Sequence, residues 1–211
     1  MLITIENAIN RLMDWVGILA TFLLILLVLV ISFNVSNRYF FNISGVGIGA
    51  EELAWHLYSS CFLLGIPYAL RTSSHVRVDL VFERLSDKKR AIIDLAGSCI
   101  FLIPFCLVVI WSGWHFFIDA WELVSRPDNI GALLQQMVTN GIGEKSQDPG
   151  GLLNRWLIKG VIPLSFLLLL LATISFMIHK INVLLNLTEN TASSLHGQSF
   201  IDNASNKEEA S

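Results

Sequence analysis

The sequence predicts an all-α integral membrane protein of four transmembrane helices, with the N- and C-termini both cytoplasmic. Three observations predict it. Of 211 residues, 54% are hydrophobic and only 15% are charged, whereas a soluble domain carries about 25% charged residues. The mean hydropathy is +0.61, and the apolar residues are gathered into long blocks separated by polar stretches. Lysine and arginine collect in one of those stretches.

The first span covers residues 15–33, from Trp15 to Phe33. At a rise of about 1.5 Å per residue this run matches a hydrocarbon layer of about 30 Å. It is long for the apolar part of a signal peptide, and the following "NVSNRYF" holds no A-x-A cleavage pattern, so it reads as an uncleaved signal anchor. The second span, 53–70, opens just after Glu51 and Glu52. The third, 91–111, carries a helical pattern on to Trp121, and Ser86 stands where an N-cap would precede it. The fourth covers 157–178. Residues 1–186 therefore form one four-helix membrane domain. Residues 187–211 form a polar tail with too few apolar side chains to fold alone.

Orientation follows from local charge. The connection between spans two and three holds Arg71, Arg77, Arg84, Lys88, Lys89 and Arg90, while the first connection holds only Arg38. The positive-inside rule places the basic connection in the cytoplasm, and an even number of spans then puts both termini there. The tryptophans Trp15, Trp55, Trp111, Trp114, Trp121 and Trp156 all fall near span ends, as an amphipathic ring at headgroup depth should.

The middles of the spans are the most informative part of the chain. Around Leu24, Ser60 and Cys61, Phe101 to Pro104, and Leu168 there is no Asp, Glu, Lys, Arg or His. An ion or proton path needs such groups at depth, so a lone transporter is disfavoured. No phosphate loop, Ser/His/Asp spacing or H-E-x-x-H run supports an enzyme. The net charge of −3 says little by itself, since membrane proteins use local charge, and the sequence holds no acidic or basic field suited to nucleic acid. Cys61, Cys99 and Cys106 lie inside apolar runs and read as small core side chains.

The remaining polar residues lie at the rims. Glu52 and His56, at i and i+4, can pair on one face of span two; a headgroup-level hydrogen-bonded pair is favoured over a binding site. "SGVGIGAEEL" puts Gly45, Gly47 and Gly49 before span two, as a flexible connection or a close backbone contact. Pro67 and Pro104 free the carbonyls of Leu63 and Ile100. Gly97, Cys99 and Gly113 are small enough for close helix approach. His56 and His115, at similar depth, raise the alternative of a haem-bearing membrane anchor of a respiratory enzyme.

The order of motifs then becomes specific. A first span ends in "NRYFF", "EELAWHL" opens the second, and "ALRTSSHVRVDL" followed by "RLSDKKRAIIDL" leads into the third. This resembles the small membrane subunit of TRAP transporters, the DctQ-like family, over about Asp14 to His179. The matching motif residues are Arg38, Glu52, Arg71, His75, Arg77 and Asp79. With His56 they are the candidate partner-contact or structural residues; no catalytic, metal or substrate residue and no cofactor is expected. "SQDPGGLLNRWLIKGVIPLSF" resembles a branch of the family associated with 2-oxo or 2-hydroxy carboxylates. The connection from Trp121 to Asp148 is longer than usual for the family.

The resemblance implies a multi-pass protein of a bacterial inner membrane. It implies a large membrane subunit carrying the sodium and substrate sites, a periplasmic binding protein delivering an organic acid, and membrane lipids around a stationary scaffold. The long outer connection is expected to help receive the binding protein, and "SSHVRVDL" to fix a cytoplasmic corner. The alternatives are a haem-bearing anchor and an autonomous small transporter.

Overall fold

The computed structural model describes residues 2–41, 43, 47–72, 86–124 and 129–208, with side chains described as far as Leu185 in the final helix. Among these, every regular element is helical. Helix α1, Leu2–Ser36, widens into a π-helical turn at Asn37–Phe41. Helix α2 is Gly47–Arg71. Helix α3, Asp87–Gly97, passes through a π-helical segment, Ser98–Leu102, into α4, Ile103–Glu122. A short α5, Ile130–Thr139, stands outside the spans, and α6 runs Trp156–Glu208. Four stretches are long and apolar enough to cross a membrane: Glu6–Phe40, Gly47–Arg71, Lys88–Glu122 and Trp156–Leu185.

The helices outrun the apolar blocks at several ends. α1 begins at Leu2, and Met13, two residues before the apolar run, is already fully buried. The third span does continue past Trp121. The final helix runs on to Glu208, well into the polar segment after residue 186. Too few apolar side chains deny that segment a core, but its backbone holds no proline after Pro163 and only Gly197 as a glycine, so nothing local stops the helix. Ser86 does precede α3 in extended conformation, but its side chain makes no cap bond; only its carbonyl accepts, from Arg90 N–H at 3.0 Å.

α6 is the hub. It packs against α1, α2, α3 and α4, and it is the most buried of the four spans. α1 and α2 make an antiparallel pair closed by Asn37, whose buried side chain accepts from Ile43 N–H at 3.1 Å. Val16, Ala20 and Leu64 form a core onto which Leu23, Val161 and Leu168 pack. Close approach is set by glycines. A Cβ at Gly17 would stand 2.5 Å from the Tyr68 ring, and one at Gly160 3.0 Å from Phe117. Gly113 does lie against α6: a Cβ there would stand 3.3 Å from Ile162 and Pro163. Gly97 and Cys99 do not serve in this way: the first faces open space and the second is exposed. The third span turns them outward.

Two hydroxyls inside α6 are satisfied by their own helix. Thr173 is fully buried and donates to the Leu169 carbonyl at 2.7 Å; Ser165 donates to Ile162. Such back-bonding lets a hydroxyl sit in an apolar bundle without an unmet hydrogen bond. Pro104 cannot donate to Ile100, and the π-helical segment just before it takes up the change of register, with Ile103 N–H reaching back to the Ser98 carbonyl.

Candidate functional site

The polar side chains form two rims, one at each end of the bundle. The first is built where α2 begins and α4 ends. Gly143, at φ +65°, lies so close to the end of α4 that a Cβ there would stand 2.5 Å from the Ala120 carbonyl oxygen. The chain is then stitched down: Glu144 N–H donates to Ala120 at 2.7 Å, and Arg155 N–H to Glu144 at 2.8 Å. Between them Ser146 N–H donates to Leu152 at 2.9 Å, closing a small loop. Asn154, in the left-handed region at φ 61°, accepts from Ile142 N–H at 2.6 Å and donates to the Met137 carbonyl at 2.9 Å.

Glu52 on α2 takes hold of this loop. Its carboxylate accepts from the Ser146 hydroxyl and, at 2.6 Å, from Leu152 N–H. Gly49, one turn earlier, lets the loop come close: a Cβ there would be 2.9 Å from the Gly150 carbonyl oxygen. Lys159 pairs with Glu144 and lies 3.9 Å from the centre of the Phe116 ring. Trp121 and Trp156 meet edge to face at 4.3 Å, with Phe117 against both. Arg38 and Glu51 form an exposed pair at 3.3 Å nearby.

The second rim lies at the other end. Arg71 pairs with Asp14, joining α2 to α1. Lys180 pairs with Asp94 at 2.7 Å, joining α6 to α3. His179 meets Glu6 at 3.1 Å, and Ser175 donates to Asn10 at 3.0 Å, joining α6 to α1. Glu6, Asn10, Arg71, Ser175, His179 and Lys180 line a cleft of about 290 Å³ at this end.

Between the rims the helices carry no Asp, Glu, Lys, Arg or His. The gap runs from Asp14 to Arg38, from His56 to Arg71, from Asp94 to His115 and from Lys159 to His179. Among the described residues no group of three His, Cys, Asp or Glu side chains stands ready for a metal ion. The arrangement ties helices and one loop together; among the described residues it offers no nucleophile–base pair and no charged path across the bundle.

The family described as "Tripartite ATP-independent periplasmic transporters, DctQ component" matches residues 27–182, more than half of the chain. The chain belongs to this family. It is the small component of a TRAP transporter, a multi-pass membrane protein, and the family is one of transporter components and not of enzymes. No curated protein and no solved structure matches the chain.

The residues singled out from sequence divide between the two TRAP-component rims. Arg38, Glu52 and His56 stand at one, Arg71 at the other; His75, Arg77 and Asp79 lie outside the described residues. Glu52 and His56 do not pair through their side chains. The imidazole Nδ1–H donates to the Glu52 backbone carbonyl at 2.6 Å, because the carboxylate is already engaged by the loop. His115 likewise donates to the Trp111 carbonyl at 2.8 Å and packs on that ring. Arg71 is drawn to Asp14.

Sequence reasoning missed the partners. Ser146 and Leu152 belong to "SQDPGGLLNRW", whose paired glycines mark a tight turn near a headgroup-level carboxylate. Asp14 and Arg71 close the same end of neighbouring antiparallel helices, which span boundaries alone would have signalled. Asp94 with Lys180, and Glu6 with His179, give no such local signal.

Proposed function

We propose that the chain is the stationary membrane scaffold of a sodium-driven importer of an organic acid, most specifically a 2-oxo or 2-hydroxy carboxylate. A large membrane subunit carries the sodium and substrate sites, and a periplasmic binding protein delivers the substrate. The observation that carries this reading is the interior free of ionisable side chains between the two rims. A charged solute or coupling ion held at mid-depth needs polar ligands, so the path belongs to another chain. What remains for this one is shape, and both rims serve it by locking helices to each other.

The Arg71 end faces the cytoplasm of a bacterial inner membrane, on the strength of the six basic residues from Arg71 to Arg90, and residues 187–211 lie on that side. The Glu52 end faces the binding protein, which meets the charged loop from Glu144 to Arg155. At the cytoplasmic corner His75, Arg77 and Asp79 form a fixed polar contact with the large subunit, where the planar guanidinium fork matters and not charge alone. Affinity purification of the co-expressed large subunit tests this. Asp79→Ala and Arg77→Lys each lower its yield at matched expression, while Lys88→Ala and Lys89→Ala do not. Equal yields across the four variants would leave the segment as a basic loop on lipid, and failure of the wild-type pair to co-purify would overturn the scaffold reading.

A further inference from the structure

The long connection after α4 has two parts of opposite character. From Glu144 to Lys159 it is charged and stitched to the bundle. From Asn129 to Gly143 it holds no charged residue at all, although an exposed stretch of a soluble protein would carry about one in four. This uncharged part is α5. Its Ile130, Leu134 and Val138 follow at i, i+4 and i+8, one stripe of a helix, and are 75%, 58% and 80% exposed. Leu133 and Met137, on the flank of the stripe, are only partly covered, and no residue of the helix is buried.

The helix is nonetheless held in place. Asn129 caps its start, accepting from Gly131 N–H at 3.1 Å. Asn140 and Gly141 close its end on the Gln136 carbonyl, and Asn154 binds the Met137 carbonyl and Ile142 N–H. Those tethers fix its end beside Ala120, Trp121 and Trp156, the aromatic level of the bundle where a bilayer meets water. Leu123, 67% exposed, continues the apolar surface from α4.

We propose that α5 is an interfacial helix, seated in the lipid leaflet at the Glu52 end, with Ile130, Leu134 and Val138 turned into the boundary between headgroups and acyl chains. Phospholipid is the occupant because the stripe is aliphatic, uncharged and continuous with the bilayer-facing end of α4. A binding protein that comes and goes fits poorly. Docking surfaces of that kind are only about as apolar as ordinary protein surface, because they must stand in water between visits. The helix thus anchors the base of the charged loop and fixes its height above the membrane.

Spin labels test the placement. Leu134→Cys, Val138→Cys and, on the opposite face, Thr139→Cys are prepared with the native cysteines replaced by alanine, and labelled in phospholipid nanodiscs. Collision with oxygen and with a water-soluble nickel chelate is measured for the chain alone and for its complex with the large subunit and binding protein. Severalfold lower nickel accessibility and higher oxygen accessibility at Leu134 and Val138 than at Thr139, in both samples, supports lipid seating. Nickel access to Leu134 and Val138 equal to that at Thr139 overturns it. So does loss of access to both reagents only when a partner protein is added, which would make the stripe a protein contact.

Discussion

Glu52 and Leu152 are joined by a hydrogen bond of 2.6 Å, from the backbone N–H of one to the carboxylate of the other, across 100 positions of sequence. The same carboxylate accepts from the Ser146 hydroxyl. One acidic side chain at the start of α2 therefore sets the position of the loop that joins α5 to α6.

Hydrogen bonds to a charged group contribute about 1.5–3 kcal/mol each. Glu52→Ala is expected to release the loop while leaving the α1–α2 pair intact, and Glu52→Gln, which keeps one acceptor oxygen, to release it partly. Amide exchange followed by mass spectrometry checks this: exchange across Ser146–Arg155 rises in the order wild type, Gln, Ala, with α1 unchanged. Uniform exchange in all three would remove the clamp from the account.

Asp94 and Lys180 are both largely covered, with side chains 12% and 20% exposed. Removing one member of such a pair leaves a charge without its counterpart, at a cost of about 3–5 kcal/mol when the site is buried. Lys180→Met alone is expected to lower thermal stability in detergent markedly, and Asp94→Asn with Lys180→Met to recover most of it. Additive losses in the double variant would contradict coupling.

The glycines separate by what faces them. Gly143→Ala forces a side chain onto the Ala120 carbonyl at a positive φ and is expected to destabilise the chain. Gly17→Ala strains the contact with Tyr68. Gly65 has open space before it, so Gly65→Ala is neutral or gains up to about 1 kcal/mol from helix propensity. Melting temperatures in one detergent rank the three; a loss for Gly65→Ala equal to that for Gly143→Ala would refute the packing.

The four spans were legible because a bilayer-length apolar run is a local property of sequence, and so was the interior without ionisable groups. Gly113 against Pro163 and the close approach at Gly49 were also foreseeable from small residues at helix ends. The ion pairs were not. Asp94 finds Lys180 only once α3 lies beside α6 in one rotation, and hydropathy does not encode rotation. The i, i+4 spacing of Glu52 and His56 is visible in sequence; a loop fixed by the positive φ of Gly143, Gly150 and Asn154, which takes the Glu52 carboxylate, is not. Composition speaks to whether the polar segment after residue 186 can form a core and not to whether a helix continues into it, as α6 does to Glu208.

Orientation is open to direct labelling. Cysteines at Ser73 and at Gln147, in a background without native cysteines, are expected to react oppositely with a membrane-impermeant maleimide in intact cells: Gln147→Cys labels and Ser73→Cys does not. Gln147 is exposed, and unlike Ser146 it is not bonded to Glu52. Labelling at Ser73 from outside would invert the topology.

The proposed scaffold shapes a transporter without providing its path. Uptake into proteoliposomes under an inward sodium gradient tests it most directly, with a 2-oxo or 2-hydroxy acid as the probe. No sodium-dependent uptake is expected from the chain alone, and uptake is expected when the large subunit and the loaded binding protein are added. Sodium-dependent uptake by the chain alone would contradict it.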